Sequence, residues 1–140
     1  MKIMGIDLGD ARTGIAMSDI SGFLASPYEV IADPRTDAVL KRVLEIAKEE
    51  RVSLAVVGLP KHINGDEGEK ALKSREFCRM LEENGLKTHL WDERYSTVIA
   101  HQFYNESGKK GSKNRRKTID SAAAAVILQG YLDYASRQST

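Results

Sequence analysis

Three short apolar runs separated by glycine open the chain. Residues 2–8, 12–18 and 23–31 are rich in Ile, Met, Ala, Leu and Val and are punctuated by Gly9, Gly14 and Gly22, the pattern of strands joined by tight turns. They predict an antiparallel meander. After Asp33-Pro34 the period changes: Val39, Leu40, Val43, Leu44 and Ala47 recur at helical spacing while Lys41, Arg42, Glu45, Lys48 and Glu49 fill the outer face. This predicts an amphipathic helix. Residues 54–59, Leu-Ala-Val-Val-Gly-Leu, form a continuous apolar run ended by Pro60, as expected of a strand buried on both faces. A loop, Lys61-His62-Ile63-Asn64-Gly65, leads to a helix expected over about 67–84, with Ala71, Phe77, Cys78 and Leu81 inward and Asn84-Gly85 as its stop. A strand at 86–91, a short helix from Ser96, a basic loop and a final helix from about Thr118 complete the order. Strands that alternate with helices after a meander specify an α/β fold. The expected sheet is five-stranded and mixed, three antiparallel strands plus two parallel ones, with helices on both faces.

The length of 140 residues suits one domain with a real core, spanning 1–140, and is short for two. With 21 Lys and Arg against 20 Asp and Glu, net charge says nothing about partners, but its distribution does. Residues 109–117, Lys-Lys-Gly-Ser-Lys-Asn-Arg-Arg-Lys, hold six basic residues and no acid, leaving 15 basic against 20 acidic elsewhere. Positive charge is therefore focused on one segment. Cys78 is the only cysteine, which excludes an internal disulfide and suits a reducing compartment. Met1-Lys2 leads straight into a strand, without a signal-peptide pattern or an apolar run long enough to span a bilayer. A cytoplasmic protein that avoids membranes is expected.

The chemistry is concentrated in acids at unusual places. Asp7 stands in the apolar stretch Ile3-Met4-Gly5-Ile6-Asp7-Leu8-Gly9, and a carboxylate buried in a strand demands compensation. Asp92-Glu93 follows the apolar run ending in Trp91, and Asp120 opens the alanine-rich final helix on the face shared with Ala123, Ala124, Ile127 and Leu128. Three acids from distant parts of a small chain suggest a cation site. Each also has an ordinary explanation, as a turn cap or as an acid placed by the helix dipole. Alternation puts Asp92 with Leu90 and Glu93 with Trp91, yet a strand end can kink, so parity leaves both adjacent acids open. In an α/β sheet ligands gather at the carboxyl ends of the parallel strands, and that rim receives Pro60, Lys61 and Asn64 from one strand and Asp92, Glu93 and Arg94 from the other, with His62 a further candidate contact. The basic stretch beside Asp120 would attract a polyanion whose phosphate then meets the acids. His89 and His101 lack metal-ligand spacing, and Trp91 is expected to be a packing residue.

Four motifs in order, Gly5-Ile6-Asp7-Leu8-Gly9 with Gly14, Val57-Gly58-Leu59-Pro60 with Asn64-Gly65, Trp91-Asp92-Glu93-Arg94-Tyr95-Ser96-Thr97, and Lys117-Thr118-Ile119-Asp120 with Ala123-Ala124, resemble the YqgF/RuvX family. Its members are small bacterial relatives of the RuvC resolvases in the ribonuclease H-like superfamily. The resemblance runs almost end to end; Tyr95 stands where many relatives carry Leu. It implies a ribonuclease H-like fold with Asp7, Glu93 and Asp120 as catalytic and metal-binding triad, favouring Glu93 over Asp92. It further implies two Mg²⁺ or Mn²⁺ ions bridged by Asp7, and Arg94 as a contact to the nucleic-acid backbone. Lys61, Asn64, Lys113, Arg115, Arg116 and Lys117 are the further expected nucleic-acid contacts. The implied activity is metal-dependent hydrolysis of phosphodiester bonds, in maturation of the 5′ end of the small-subunit ribosomal RNA precursor or in resolution of four-way DNA junctions. Structured RNA, junction DNA and ribosomal particles are the implied partners, for a monomer or homodimer. An actin-like nucleotide-binding protein shares the Asp-x-Gly strand but needs two such domains, and a noncatalytic binding module would not need three acids.

Overall fold

The structure, a computed structural model, describes residues 1–62, 64–95 and 112–138, with side chains at all of these except 95 and 112–120. Its strands are β1 (Lys2–Asp7), β2 (Thr13–Ser18), β3 (Ala25–Ile31), β4 (Val52–Leu59) and β5 (Thr88–Asp92), and its helices α1 (Thr36–Glu49), α2 (Glu69–Glu83) and α3 (Ser112–Gln138). A single 3-10 turn, Glu93–Tyr95, follows β5. The strands form one sheet in the order β3-β2-β1-β4-β5. β1 pairs antiparallel with β2 and β2 with β3, whereas β4 runs parallel to both β1 and β5. This is the mixed sheet expected from the sequence.

Two apolar layers sandwich it, and alternation along each strand assigns residues to one or the other. Met4 and Ile6 of β1, Ile15 and Met17 of β2, and Val57 of β4 pack with Val39, Val43 and Ile46 of α1 and with Phe77, Cys78 and Leu81 of α2. Ala16, Val56 and Trp91 pack on the other face against Ala124, Ala125, Ile127, Leu128 and Leu132 of α3. Small residues bring α3 close. A Cβ on Gly5 would lie 2.7 Å from Leu128 Cβ and 2.8 Å from the Ala124 carbonyl oxygen, and one on Gly58 would lie 2.6 Å from Ile127 Cδ1. Trp91 is buried, with its ring edge-on to Tyr131 at 6.3 Å. It is the packing residue the sequence suggested.

Two expectations need correction. The final helix begins at Ser112, not near Thr118, so positions 113–117 are helical and do not form a loop. Lys and Arg are strong helix formers, and no Gly or Pro interrupts residues 112–129, so the backbone continues through the charge run. Phe23 and Leu24 belong to the turn before β3. The Asp19 carboxylate accepts the backbone N–H groups of Phe23 and Leu24 at 2.8 and 2.9 Å, Gln129 of α3 donates to the Phe23 carbonyl at 2.8 Å, and the two apolar side chains stay exposed. Among the described residues no helix is long and apolar enough to cross a membrane. The short helix expected from Ser96, the first part of the basic stretch and His101 lie outside the described residues.

Candidate active site

Because β1, β4 and β5 are parallel neighbours, their carboxyl ends meet at one rim. The last β1–β4 pair is Ile6 with Val57, so Asp7 stands one residue further on, beside Gly58. Gly58 in turn pairs with Trp91 of β5. Parity sets the directions. Asp7 lies two residues beyond Gly5, which faces α3, and Glu93 lies two beyond Trp91, which packs on the same side. Both acids are half-buried on the α3 side of the sheet. The Glu93 carboxyl rests over Gly58, where a Cβ would come within 3.2 Å of both its Cδ and Oε2.

This placement perturbs Glu93 strongly. Burial disfavours its charge, the Asp7 carboxylate repels it, and together with Asp92 they outweigh the opposing pull of Lys70, so its pKa is pushed up to about 7. A carboxyl near its midpoint at neutral pH, facing a second acid, fits a hard divalent cation, because such an ion takes oxygen donors and removes the repulsion. The third acid of the expected triad is only partly placed. The α3 backbone carries Asp120 one turn before Ala124, but its side chain lies outside the described residues, as do those of Lys113, Arg115, Arg116 and Lys117. Among the described residues no three metal-ligating side chains form a group.

The two adjacent acids face opposite ways. Asp92 has the parity of Leu90, and its Oδ1 accepts the Arg94 backbone N–H at 2.9 Å. Arg94 Nε donates to Oδ1 and Oδ2 at 3.1 and 3.0 Å, and its Nη2 donates to Oδ2 at 2.7 Å. Lys61 Nζ stands 4.0 Å from Oδ2. The Arg94 hydrogen bond is the main reason that the Asp92 pKa falls below the ordinary carboxylate value. Lys61 and Arg94 thus gather at the rim around Asp92.

Asn64 is not brought into this group. It closes its own turn, Nδ2 donating to Asp66 Oδ2 and Oδ1 accepting the Asp66 backbone N–H, each at 3.0 Å. His62 is exposed, with its ring against Gly68. His89 is also exposed and its ring packs tilted against that of Tyr131, centroids 4.8 Å apart. One residue missed in the sequence is Lys70, in the first turn of α2, whose charge acts on both Glu93 and Asp10. The available signal was its place in the helix that follows the rim loop, where a cation reaches back over the strand ends.

Comparison with known proteins identifies the family and the fold. A family model described as "RuvX: Holliday junction resolvase" matches residues 1–134. A protein named "Putative pre-16S rRNA nuclease" from Fusobacterium nucleatum subsp. nucleatum is 43% identical over 134 residues, covering 94% of this chain and 96% of that protein. Proteins of the same name from Clostridium novyi (40% over 134 residues, 95% of this chain and 98% of that protein) and Geobacillus sp. (42% over 136 residues, 95% and 98%) are similar to the same extent. Among solved structures, Thermus thermophilus RuvC in complex with a Holliday junction superposes with TM-score 0.72 at 17% identity, covering 100% of this chain and 98% of that one. T. thermophilus RuvC alone gives 0.58 at 15% identity, covering 96% and 97%. At these identities the structural likeness establishes the fold, which is ribonuclease H-like.

Proposed function

The chain belongs to the RuvX family, and from that premise we propose that it is a divalent-metal-dependent nuclease, one domain over 1–140, that processes the 5′ end of pre-16S ribosomal RNA in the cytoplasm. The observation that carries the reading is the facing of Glu93 and Asp7 across Gly58 at the carboxyl rim. Family membership makes the chain a hydrolase of phosphodiester bonds; the relatives' shared name supports the ribosomal substrate.

Asp7, Glu93 and Asp120 are assigned the metal. Mg²⁺ or Mn²⁺, as a pair of ions, would supply activation of a water and neutralisation of the leaving oxygen. The chain's own groups prepare the ground for this. Asp7 and Glu93 hold hard oxygen donors at a half-buried edge, where a charge is less screened than in open water. Lys61 and Arg94 gather around Asp92 at the same rim, where they would take phosphates flanking the scissile one, and Lys113, Arg115, Arg116 and Lys117 would attract the polyanion. No His or Ser nucleophile is required, and the products would be a 5′-phosphate and a 3′-hydroxyl. Asn64, closed into its own turn, has the weakest support of the proposed contacts.

The family's description as a Holliday junction resolvase supports a second substrate, the four-way DNA junction, for which a homodimer suits the two symmetric cuts. One experiment separates the two. Purified protein is incubated with labelled pre-16S RNA, free or in ribosomal particles, with a four-way junction and with linear controls, each with and without Mg²⁺ or Mn²⁺. Metal-dependent cleavage of the RNA near its 5′ end is expected. Cleavage of the junction with the RNA intact would move the assignment to DNA, and no cleavage of either would reject the nuclease reading.

A further inference from the structure

Asp92 stands at the rim but turns away from Asp7, and its surroundings suggest a different task. Its carboxylate is largely buried, with 12% of the side chain exposed, whereas 36% of the Arg94 side chain remains open. The carboxylate grips Arg94 at three points, the backbone N–H at 2.9 Å, Nε at 3.1 and 3.0 Å, and Nη2 at 2.7 Å. A contact that includes both the main chain and the guanidinium of one residue fixes the side chain relative to its own backbone. On its far side the guanidinium lies against the rim loop, where a Cβ on Gly65 would stand 3.5 Å from Nη1. Lys61, from the end of that same connection, stands 4.0 Å from the same carboxylate.

We propose that Asp92 is a positioning residue: it holds Arg94, with Lys61 beside it, as a pre-aligned cationic clamp for a phosphate of the bound nucleic acid at the rim that also carries the Glu93–Asp7 pair. The inference rests on the nuclease reading and adds to it the group that sets the clamp. Its physical basis is entropy. A free arginine loses much rotamer freedom when it meets a phosphate, and a carboxylate that orders it beforehand removes that loss from the binding step. The competing effect has the opposite sign. A carboxylate also repels phosphate and occupies guanidinium donors, so removing a mere competitor would tighten binding.

The test reads binding, with Ca²⁺ replacing Mg²⁺ and gels confirming intact substrate, by anisotropy of labelled pre-16S RNA and of the four-way junction. In the parent background, Asp92→Asn is expected to weaken binding roughly three- to tenfold, the scale of ordering one long side chain. In an Arg94→Gln background the same substitution should have no further effect, because Asp92 acts through Arg94. Arg94→Lys, at an exposed position, keeps the charge but loses the fork and should weaken binding about as much as Asp92→Asn. It therefore tests the clamp even if Asp92→Asn folds poorly. In turnover, KM should rise in Asp92→Asn while kcat stays near the parent value. Binding that is unchanged or tighter in Asp92→Asn, an equal loss in the Arg94→Gln background, or parent-like binding by Arg94→Lys would each overturn the proposal with the nuclease reading intact. Failure of the parent to bind either nucleic acid would overturn both.

Discussion

Two acids adjacent in sequence, Asp92 and Glu93, have opposite electrostatic lives, and their pH dependence should show it. The Glu93 pKa is raised from 4.5 to about 7. Between those values the folded protein binds more protons than the unfolded chain, so this group makes metal-free stability fall as pH rises through that window. Glu93→Gln removes the cost. In urea titrations without metal the variant should be more stable than the parent at pH 8, by roughly 1 to 3 kcal/mol, and equal to it at pH 4. A variant less stable than the parent at pH 8 would contradict the burial and repulsion read at Glu93. Asp92 has the reverse sign: its lowered pKa contributes stability above 3.8 that is lost as pH falls below it. Metal binding should follow Glu93. Mg²⁺ affinity measured by calorimetry is expected to weaken as pH drops below about 7 and to release protons on binding; a flat profile from pH 5.5 to 8 would remove Glu93 from the ligand set. Asp7→Asn should abolish cleavage without loss of stability, since it keeps the shape and relieves the repulsion. Asp92→Asn should be milder in activity, and a larger loss there than in Glu93→Gln would reverse the assignment.

At the scale of elements, the meander, the amphipathic α1, the buried β4 and the inward face of α2 are legible in the sequence because each is written in local periodicity. Parity is also written there: Glu93 keeps the face of Trp91, so the alternation passes through the end of β5 into the 3-10 turn. Nothing local shows that it must, because whether a strand end kinks depends on what packs over it. Here that is α3, which lies close enough to hold Trp91 and to leave Glu93 only the space above Gly58. The start of α3 is hidden for a related reason: Ser112 and the charged residues after it look like a loop until the helix they extend is seen docked on the sheet. The turn holding Phe23 and Leu24 depends on Gln129, more than a hundred residues away in sequence, a contact no local pattern encodes. The close docking makes a prediction. Gly5→Ala places a methyl 2.7 Å from Leu128 Cβ and 2.8 Å from the Ala124 carbonyl, and one of these is rigid backbone, so stability should fall by roughly 1 to 3 kcal/mol. Gly58→Ala meets the movable ends of Ile127 and Glu93 instead, at 2.6 and 3.2 Å. Its loss should appear more in kcat than in the melting temperature, and the reverse pattern would mean that Gly58 serves packing alone.

Over the whole molecule, charge is unevenly distributed along the chain. The acids that repel phosphate gather at the carboxyl rim, while six of the 21 basic residues fall within 109–117, ahead of and inside the first turns of α3. A run of cations this dense favours association with a polyanion. In a helix, positions 113, 116 and 117 fall on one face while 115 does not. Replacing Lys113, Arg116 and Lys117 together by Ala should weaken binding to pre-16S RNA and to unrelated structured RNA alike. The dependence of log K on log salt should flatten by roughly 0.7 to 0.9 for each phosphate that the variant no longer neutralises, whereas Arg115→Ala should change the slope less. Metal affinity and cleavage at saturating substrate should remain near the parent values, since none of these residues is assigned to the metal. A triple variant with parent affinity and slope would reduce the basic run to a solvated helix terminus, and the approach of substrate would then have to be carried by Lys61 and Arg94 at the rim.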